Sequence, residues 1–222
     1  MKILAIETAT FICGTAFISE GCCISLIEEE CPRTSAEELP RMVKKVKQKS
    51  GFKWDELDGI AVSIGPGSFT GLRIGLSFTK GMAFSHDLPV VPVPTLTGMA
   101  TGISSKSDSY RVALYSHRNL FYTQLFHRTD TFPSGVGSPI LWDWDTLKSM
   151  INKENIDVFI CGGEHIISEN ENVLFSPTLP SAKKIGMLAH ERWHEFILDN
   201  PYNLVPDYIA PFKITKRKDA VS

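Results

Sequence analysis

The chain has 222 residues, of which 43% are hydrophobic and 22% are charged, a composition typical of a globular protein with enough chain for one large domain or two small lobes. Its formal net charge of −2 excludes an overall attraction to nucleic acid or acidic membranes, so a contact with RNA needs a local patch or a second protein. The five cysteines contain no CxxC pair, which favours reduced thiols over a disulfide framework.

The start of the chain predicts no targeting segment. The apolar stretch from Ile3 to Ile6 is followed by Glu7 and is too short for the core of a signal peptide. No other segment has the length of apolar sequence that a bilayer-spanning helix needs. We therefore expect a cytoplasmic protein.

The first fifty residues predict a strand, a hairpin and a helix. Residues 2–8 form the first strand, and residues 12–19 and 22–28 pair around the two-residue turn Glu20-Gly21. A helix follows Ser35, because apolar residues recur there at the spacing i, i+3, i+4 and i+7. Those apolar residues are Leu39, Met42, Val43 and Val46.

The next forty residues predict alternating strands and helices, with a strand at 60–64, a helix at 69–84 and a strand at 90–93. The first strand and this helix are joined by the run SIGPGSFTGLRIG, from Ser63 to Gly75. Such a glycine-rich turn at a helix N-terminus suits an anion or a close backbone contact, but it equally suits a simple turn. The glycine spacing matches neither a P-loop nor the dinucleotide fingerprint.

A polar run from Ser104 to Ser109 predicts a boundary. Strands at 111–115 and 120–127 follow it, then a loop with Pro133. A helix at 143–153, a strand at 157–161 and a helix at 181–198 complete the second half. The sequence therefore predicts a two-lobed α/β protein with an N-terminal lobe at 1–104 and a C-terminal lobe and tail at 105–222.

Several segments together resemble the bacterial TsaB (YeaZ) family. They are GPGSFTGLRIG, the opening MKILAIETAT, CPRTSAEELP, PVVPVPTL and the tail motif Pro206-Asp207-Tyr208. Members of that family are accessory subunits of the machinery that places a threonylcarbamoyl group on the adenosine beside the tRNA anticodon. The resemblance implies the duplicated two-lobed α/β fold of the actin, hexokinase and Hsp70 ATPase superfamily.

The resemblance also implies a function. We expect a non-catalytic subunit that binds and activates a TsaD-type transferase, works with a TsaE-type ATPase and forms a homodimer when isolated. It would reach tRNA indirectly through the complex. We expect no cofactor on the isolated chain, with ATP or ADP bound only in the assembled complex.

ATP-cleaving relatives have two acidic residues, one in each lobe, and this sequence keeps only the first of them. The first strand keeps a carboxylate, Glu7, but the equivalent strand of the second lobe reads Ser116-His117-Arg118, where the resemblance implies an acid in place of Ser116. A hydroxyl group is a poor substitute for a carboxylate on Mg²⁺. We therefore expect Glu7 to accept hydrogen bonds at the lobe junction. Weak candidates for a nucleotide or lobe-junction site are Glu7, Thr8, Gly65 and Gly67.

One alternative comes from a different class of enzyme. The string His190-Glu191-Arg192-Trp193-His194 matches HExxH, the helix motif of zinc metallopeptidases. We interpret both histidines as structural, because no recognisable third ligand follows them. A zinc-dependent peptidase, and a kinase-like ATP enzyme of the same superfamily, remain the alternatives.

The helix at 69–84 predicts a close contact. Gly71, Gly75 and Thr79 form a strip of small residues at a spacing of four, which either packs tightly within its own lobe or admits a partner helix. The resemblance implies that the first two helices pack against the same helices of TsaD or of a second copy. The expected partner interface is Leu39, Met42, Val43, Val46, Phe69, Gly71, Leu72, Gly75, Phe78, Thr79 and Met82.

Overall fold

The structure is a computed structural model that describes residues 1–105, 107–154, 156–167 and 178–209. Its first half forms a five-stranded sheet in the order β3-β2-β1-β4-β5. The first three strands are antiparallel to one another, while β4 and β5 run parallel to β1. The strands are β1 (Lys2–Glu7), β2 (Ile12–Ser19), β3 (Cys22–Glu30), β4 (Gly59–Gly65) and β5 (Val90–Pro94).

The second half forms a four-stranded sheet in the order β8-β7-β6-β9. Strands β6, β7 and β8 are antiparallel neighbours, and β9 runs parallel to β6. This is the arrangement of β1 to β4 repeated, so the chain contains the same unit twice. The strands are β6 (Ser109–His117), β7 (Leu120–His127), β8 (Ser134–Asp143) and β9 (Asp157–Cys161).

Helices cover the faces of both sheets. On the first sheet, α1 (Ser35–Ser50) and α2 (Phe69–His86) pack on one face and α5 (Ala182–Glu191) packs on the other. The short helix α3 (Thr95–Ala100) packs on one face of the second sheet, and α4 (Trp144–Glu154) packs on its other face. Burial of apolar side chains on both faces of each sheet is what stabilises such layered α/β proteins. Within the described part of the chain, no helix combines the length and apolar character needed to cross a bilayer.

Helix α5 comes from the second half of the chain but packs on the first sheet. Ile185, Leu188 and Ala189 of α5 share a buried cluster with Ile3 and Ile18. The N–H of Ala182 donates to Glu28 Oε1 of β3 at 2.6 Å, which fixes the start of the helix. One helix of the second segment therefore completes the core of the first. The predicted division into 1–104 and 105–222 stays a prediction.

The hairpin turn is confirmed, because Glu20 and Gly21 both have positive φ, at 49° and 74°, as a tight two-residue turn requires. Two predicted elements are wrong. The predicted loop after Pro133 is strand β8. The predicted helix at 181–198 is interrupted at Arg192, where φ is −106° and ψ is 32°, so that α5 ends at Glu191 and a separate short helix, α6 (Trp193–Phe196), follows.

Candidate functional site

A cleft of about 1900 Å³ lies between the two lobes. On the first lobe it is lined by the loop after β1, the turn before α1 and the first two turns of α2. On the second lobe it is lined by the β6–β7 turn and by Gly162 after β9, and Tyr208 of the tail closes one side. The glycine-rich turn and the Ser116-His117-Arg118 segment, both selected from the sequence, therefore meet across one opening.

The strip of small residues on α2 packs within its own lobe. A Cβ atom added at Gly71 would overlap the carbonyl oxygen of Thr8, and one added at Gly75 would overlap Thr8 Oγ1. Thr8 Oγ1 donates to the carbonyl oxygen of Gly71 at 2.8 Å, and Thr79 is fully buried. The close contact predicted for this strip is therefore a contact between α2 and the loop after β1.

The expected partner interface needs correction for most of its residues. Met42 is 1% exposed and packs with β2, β4 and α2 in the core of the first lobe. The outer face of α1 is polar and charged, so the apolar stripe of this helix covers its own sheet. The residues that the structure places inside the lobe are Leu39, Met42, Val43, Val46, Gly71, Leu72, Gly75 and Thr79. Phe69, Phe78 and Met82 are half-buried and keep exposed surface.

An exposed apolar surface of the first lobe lies on the other side of α2. Phe84 is 75% exposed, and Ile74 and Phe78 are half-buried on neighbouring turns. The tail lies beside them, because Lys80 Nζ donates to the carbonyl oxygens of Tyr202 and Leu204 at 2.9 and 2.6 Å. We call this surface the α2 patch: Ile74, Ser77, Phe78, Gly81, Met82, Phe84, Tyr202 and Val205.

Glu7 is fully buried at the end of β1 and does not line the cleft. Its Oε1 atom accepts a hydrogen bond from the N–H of Ala9 at 2.5 Å, whereas no hydrogen-bond partner of Oε2 is present among the described residues. Burial raises the pKa of the Glu7 carboxyl group from 4.5 to about 7, against a smaller lowering by the hydrogen bond from Ala9. Glu7 thus accepts a backbone hydrogen bond at the lobe junction, as expected.

The other weak candidates separate in the structure. Thr8 is buried against α2, and the N–H of Gly65 donates to Thr95 Oγ1 at 3.1 Å inside the protein. Gly67 lines the cleft, and a Cβ atom there would overlap the carbonyl oxygen of Ala9. All four candidates lie in the described part of the chain, and among them only Gly67 lines the cleft.

The second-lobe segment lies at the cleft wall. Ser116 Oγ lies 2.9 Å from His117 Nδ1, and Arg118 has a φ of 55° in the β6–β7 turn. Tyr115 Oη donates to the carbonyl oxygen of Arg118 at 3.3 Å and supports this turn. A carboxylate is absent from this segment, so the pair of acids that would hold a phosphate-bound metal does not face the cleft.

The HExxH motif does not form the arrangement that the sequence suggests. His190 lies at the end of α5 and His194 in α6, on opposite sides of the interruption at Arg192. The His190 ring lies beside Gly21, while His194 is exposed. Among the described residues, no group of three or more His, Cys, Asp or Glu side chains is placed to hold a metal ion.

Sequence reasoning missed that cations and aromatic rings come together in the cleft. Arg33 precedes α1, and the Arg73 guanidinium lies 3.8 Å from the centre of the Phe69 ring. Arg73 Nε donates to Tyr208 Oη at 2.9 Å. Arg73 and Tyr208 are 135 positions apart in sequence, so no local pattern brings them together.

Comparison with known proteins gives one consistent relationship. The family model described as TsaD, tRNA N6-adenosine threonylcarbamoyltransferase, matches residues 27–122. The tRNA threonylcarbamoyladenosine biosynthesis protein TsaB of Haemophilus influenzae is 37% identical over 78% of this chain and 69% of its own length. The TsaB of Bacillus subtilis is 31% identical over 94% of both chains. The match to the Escherichia coli TsaB, at 38% identity, spans about half of each chain (50% of this chain and 48% of that relative).

A solved structure described as YeaZ from Pseudomonas aeruginosa superposes with a TM-score of 0.75 at 23% identity. The superposition covers 93% of this chain and 99% of that chain. Together with the repeated sheet order, this confirms the predicted two-lobed, duplicated α/β fold.

Proposed function

Because this chain belongs to the TsaB (YeaZ) family, whose curated members are described as tRNA threonylcarbamoyladenosine biosynthesis proteins, we propose that it is a non-catalytic subunit of the complex that makes this modification. In this proposal it binds and activates a TsaD-type transferase subunit. The observation that carries the proposal is the α2 patch, an exposed apolar surface on the lobe that resembles the transferase.

The chemistry of the α2 patch supports a protein partner. Phe84, Tyr202 and Val205 are all more than half exposed, and a cluster of this kind on a folded protein marks an interaction surface. Ser77 and Gly81 lie between the larger side chains on the exposed face of α2, so another helix can approach closely there. A few residues carry most of the binding energy in such interfaces, and aromatic side chains such as tyrosine are enriched among them.

The family model supports the choice of partner. It matches residues 27–122 to TsaD, a segment that contains both α1 and α2. A TsaD-type chain therefore carries counterparts of the same helices, and two such lobes can pair about an approximate two-fold axis. The same geometry would form a homodimer when the chain is isolated. We place a TsaE-type ATPase in the same complex, as the family resemblance implies.

The cleft supports a non-catalytic role for this subunit. Glu7 is buried away from the cleft and Ser116 occupies the place of the second acid, so the chain lacks the carboxylate pair that would hold a metal-bound nucleotide. In our proposal ATP or ADP is bound only in the assembled complex, and the transferase performs the chemistry. This role places the chain in the cytoplasm.

The proposal is tested by co-purification of the chain with a TsaD-type subunit. We expect Phe84→Asp to weaken association at least a hundredfold, because a carboxylate at the centre of an apolar contact loses its water without gaining a partner. The thermal melt of the variant alone should match the wild type, since Phe84 already faces solvent.

The matched control is Ile140→Asp, the same change at another exposed apolar position, on β8 of the second lobe. It should leave association intact. Formation of threonylcarbamoyladenosine in a reconstituted reaction, measured by nucleoside mass spectrometry, should follow association in both variants. Normal co-purification of the Phe84→Asp variant would refute the α2 patch as the docking surface.

A further inference from the structure

The interlobe cleft carries a charge opposite to that of the whole chain. Its lining contains Arg33, Arg73, His117 and Arg118, and Asp207 is the one acid among the described residues that line it. The chain as a whole has a formal net charge of −2. The three arginines and His117 are exposed, so the arginines concentrate positive charge where a ligand can reach it.

The three arginines come from three different elements, so their charges are spread along the cleft. Arg33 lies in the turn between β3 and α1, Arg73 on α2 and Arg118 in the β6–β7 turn of the other lobe. Within the described part of the chain, no carboxylate forms an ion pair with any of them. Their charge is therefore available to several anionic groups placed along one ligand.

The protein holds the side chain of one of these arginines and the backbone of another. The Arg73 guanidinium stacks on the Phe69 ring and is hydrogen-bonded through Nε to Tyr208 Oη. The backbone of the turn that carries Arg118 is supported by the hydrogen bond from Tyr115. The fixed Arg73 guanidinium keeps free N–H donors for phosphate oxygens and loses little side-chain entropy when it binds.

Exposed aromatic rings line the same cleft as the arginines. Phe11 is 44% exposed and Tyr208 is 41% exposed, and both line the cleft with Tyr115 and Tyr122. The combination of cations with accessible aromatic rings is typical of grooves that bind single-stranded nucleic acid, where cations contact the backbone and rings stack on bases. The hydroxyl groups of the tyrosines add hydrogen bonding at the same surface.

Two observations separate this ligand from a metal-bound nucleotide. The cleft, at about 1900 Å³, exceeds the ~300–1,000 Å³ of typical small-molecule sites. The buried Glu7 carboxyl group does not reach it, so the lining offers no carboxylate pair for a metal ion. We propose that the cleft between the lobes binds an unpaired segment of RNA directly, with Arg33, Arg73 and Arg118 on its phosphates and the exposed rings of Phe11 and Tyr208 against its bases.

The inference rests on the proposed function for its choice of RNA, since a complex that modifies the adenosine beside the tRNA anticodon meets the unpaired anticodon loop. The purified chain is titrated into a labelled hairpin RNA whose loop is the size of an anticodon loop, and binding is followed by fluorescence anisotropy at several salt concentrations. A fully paired duplex of the same strand is the comparison. We expect salt-dependent binding to the hairpin and at least tenfold weaker binding to the duplex.

Variants assign the contacts. The double variant Arg33→Gln/Arg118→Gln should bind the hairpin about tenfold more weakly and lower the slope of log K against log salt by about 1.4, as expected for two lost phosphate contacts to a single strand. Phe11→Ala should also bind about tenfold more weakly but leave the slope unchanged, because stacking releases no counterions. The matched control is Lys44→Gln/Lys45→Gln, which removes two charges from the outer face of α1 and should bind like the wild type.

Co-purification with the TsaD-type subunit is measured on the same proteins, so that failure of either idea is visible separately. The Arg33→Gln/Arg118→Gln variant should associate normally, and Phe84→Asp should keep RNA binding. Equal RNA affinity for the cleft double variant and the wild type would overturn the assignment of the cleft. Absence of salt-dependent binding by the wild type, or equal binding of hairpin and duplex, would overturn it as well.

Discussion

The Glu7 carboxyl group lies at the end of β1, where it is fully buried and accepts a hydrogen bond from the N–H of Ala9. Removal from water disfavours the ionised form more than this hydrogen bond favours it, so its pKa rises to about 7. Ionisation of Glu7 therefore opposes folding, and a residue that resembles a catalytic acid in sequence acts here as a pH-dependent weakness at the lobe junction.

This effect predicts a stability profile. Below the unfolded-state pKa of Glu7, about 4.5, the carboxyl group is protonated in both states and does not reduce the free energy of unfolding. Between pH 4.5 and about 7 only the unfolded state ionises, so the free energy of unfolding falls as the pH rises. Above pH 7 the full cost remains, about 3 kcal/mol at most. We expect Glu7→Gln to stabilise the protein at pH 8 and to have little effect at pH 4, measured by urea denaturation.

The control is Glu29→Gln, which makes the same change in net charge at an exposed position. The same stabilisation by Glu7→Gln at pH 4 and pH 8 would show that the gain comes from packing and not from ionisation.

Helix α2 contains three glycines whose surroundings differ sharply. Gly71 and Gly75 lie where a Cβ atom would overlap Thr8, whereas Gly81 has open space around it. Glycine within a helix costs about 1 kcal/mol relative to alanine. At Gly75 that cost is offset by the close approach of α2 to the loop after β1, and at Gly81 no contact with a described residue offsets it.

We therefore expect opposite results from the same substitution on one helix. Gly75→Ala should destabilise the isolated chain by roughly 2 kcal/mol or more, because the backbone must move away from Thr8. Gly81→Ala should stabilise it by up to about 1 kcal/mol. Chemical denaturation of both variants measures this difference, and a Gly75→Ala variant as stable as the wild type would contradict the close packing.

The elements were predictable from sequence where a local pattern decides them. The apolar spacing of Leu39, Met42, Val43 and Val46 identifies α1, and Glu20-Gly21 identifies the first hairpin. The same spacing does not say which surface covers the stripe, and the structure places these four predicted partner residues in the core of the lobe. Strand β8 was missed because it is exposed on both faces for most of its length. The sequence of such a strand does not alternate between apolar and polar residues.

The candidate site was predictable only in part. The sequence singles out the glycine-rich turn and Ser116-His117-Arg118, and the structure places both in the lining of the cleft. The grouping of Arg33, Arg73 and Tyr208 was not predicted, because their proximity depends on how the tail crosses α2 and how the lobes face each other. Such contacts are properties of the tertiary structure and leave no spacing in the sequence.

At the scale of the whole molecule, α5 joins the two halves. Its glycine, Gly186, lies directly on the first sheet, where a Cβ atom would come within 2.9 Å of Ala5 Cβ and 2.5 Å of Ile18 Cγ1. Glu28 of β3 accepts a hydrogen bond from the first turn of α5. The two lobes are thus repeated in topology but are not independent in packing.

This packing predicts that the segment 1–104 does not fold cooperatively by itself. Without α5, the apolar side chains of Ile3, Ile18, Val91 and Val93 would face water, at a cost of about 25 cal/mol per Å². We expect the fragment to aggregate or to bind a hydrophobic dye, and to lack the sharp thermal transition of the full chain.

An independent check keeps the whole chain and changes one residue. Gly186→Leu should lower the melting temperature markedly, because the larger side chain lifts α5 from the sheet. A sharp, dye-free melting transition for the fragment 1–104 would instead support an N-terminal domain that folds alone.

The position of α5 has a further consequence for the protein as it is made. When residue 104 leaves the ribosome, the first sheet can pair its strands, but one face has no cover until residues 105–189 have been translated. At ~5–20 residues per second this interval lasts roughly 4–17 s. During that time the nascent chain presents an apolar sheet to the cell, so its yield should depend on chaperone supply and on the speed of translation through the second half of the message.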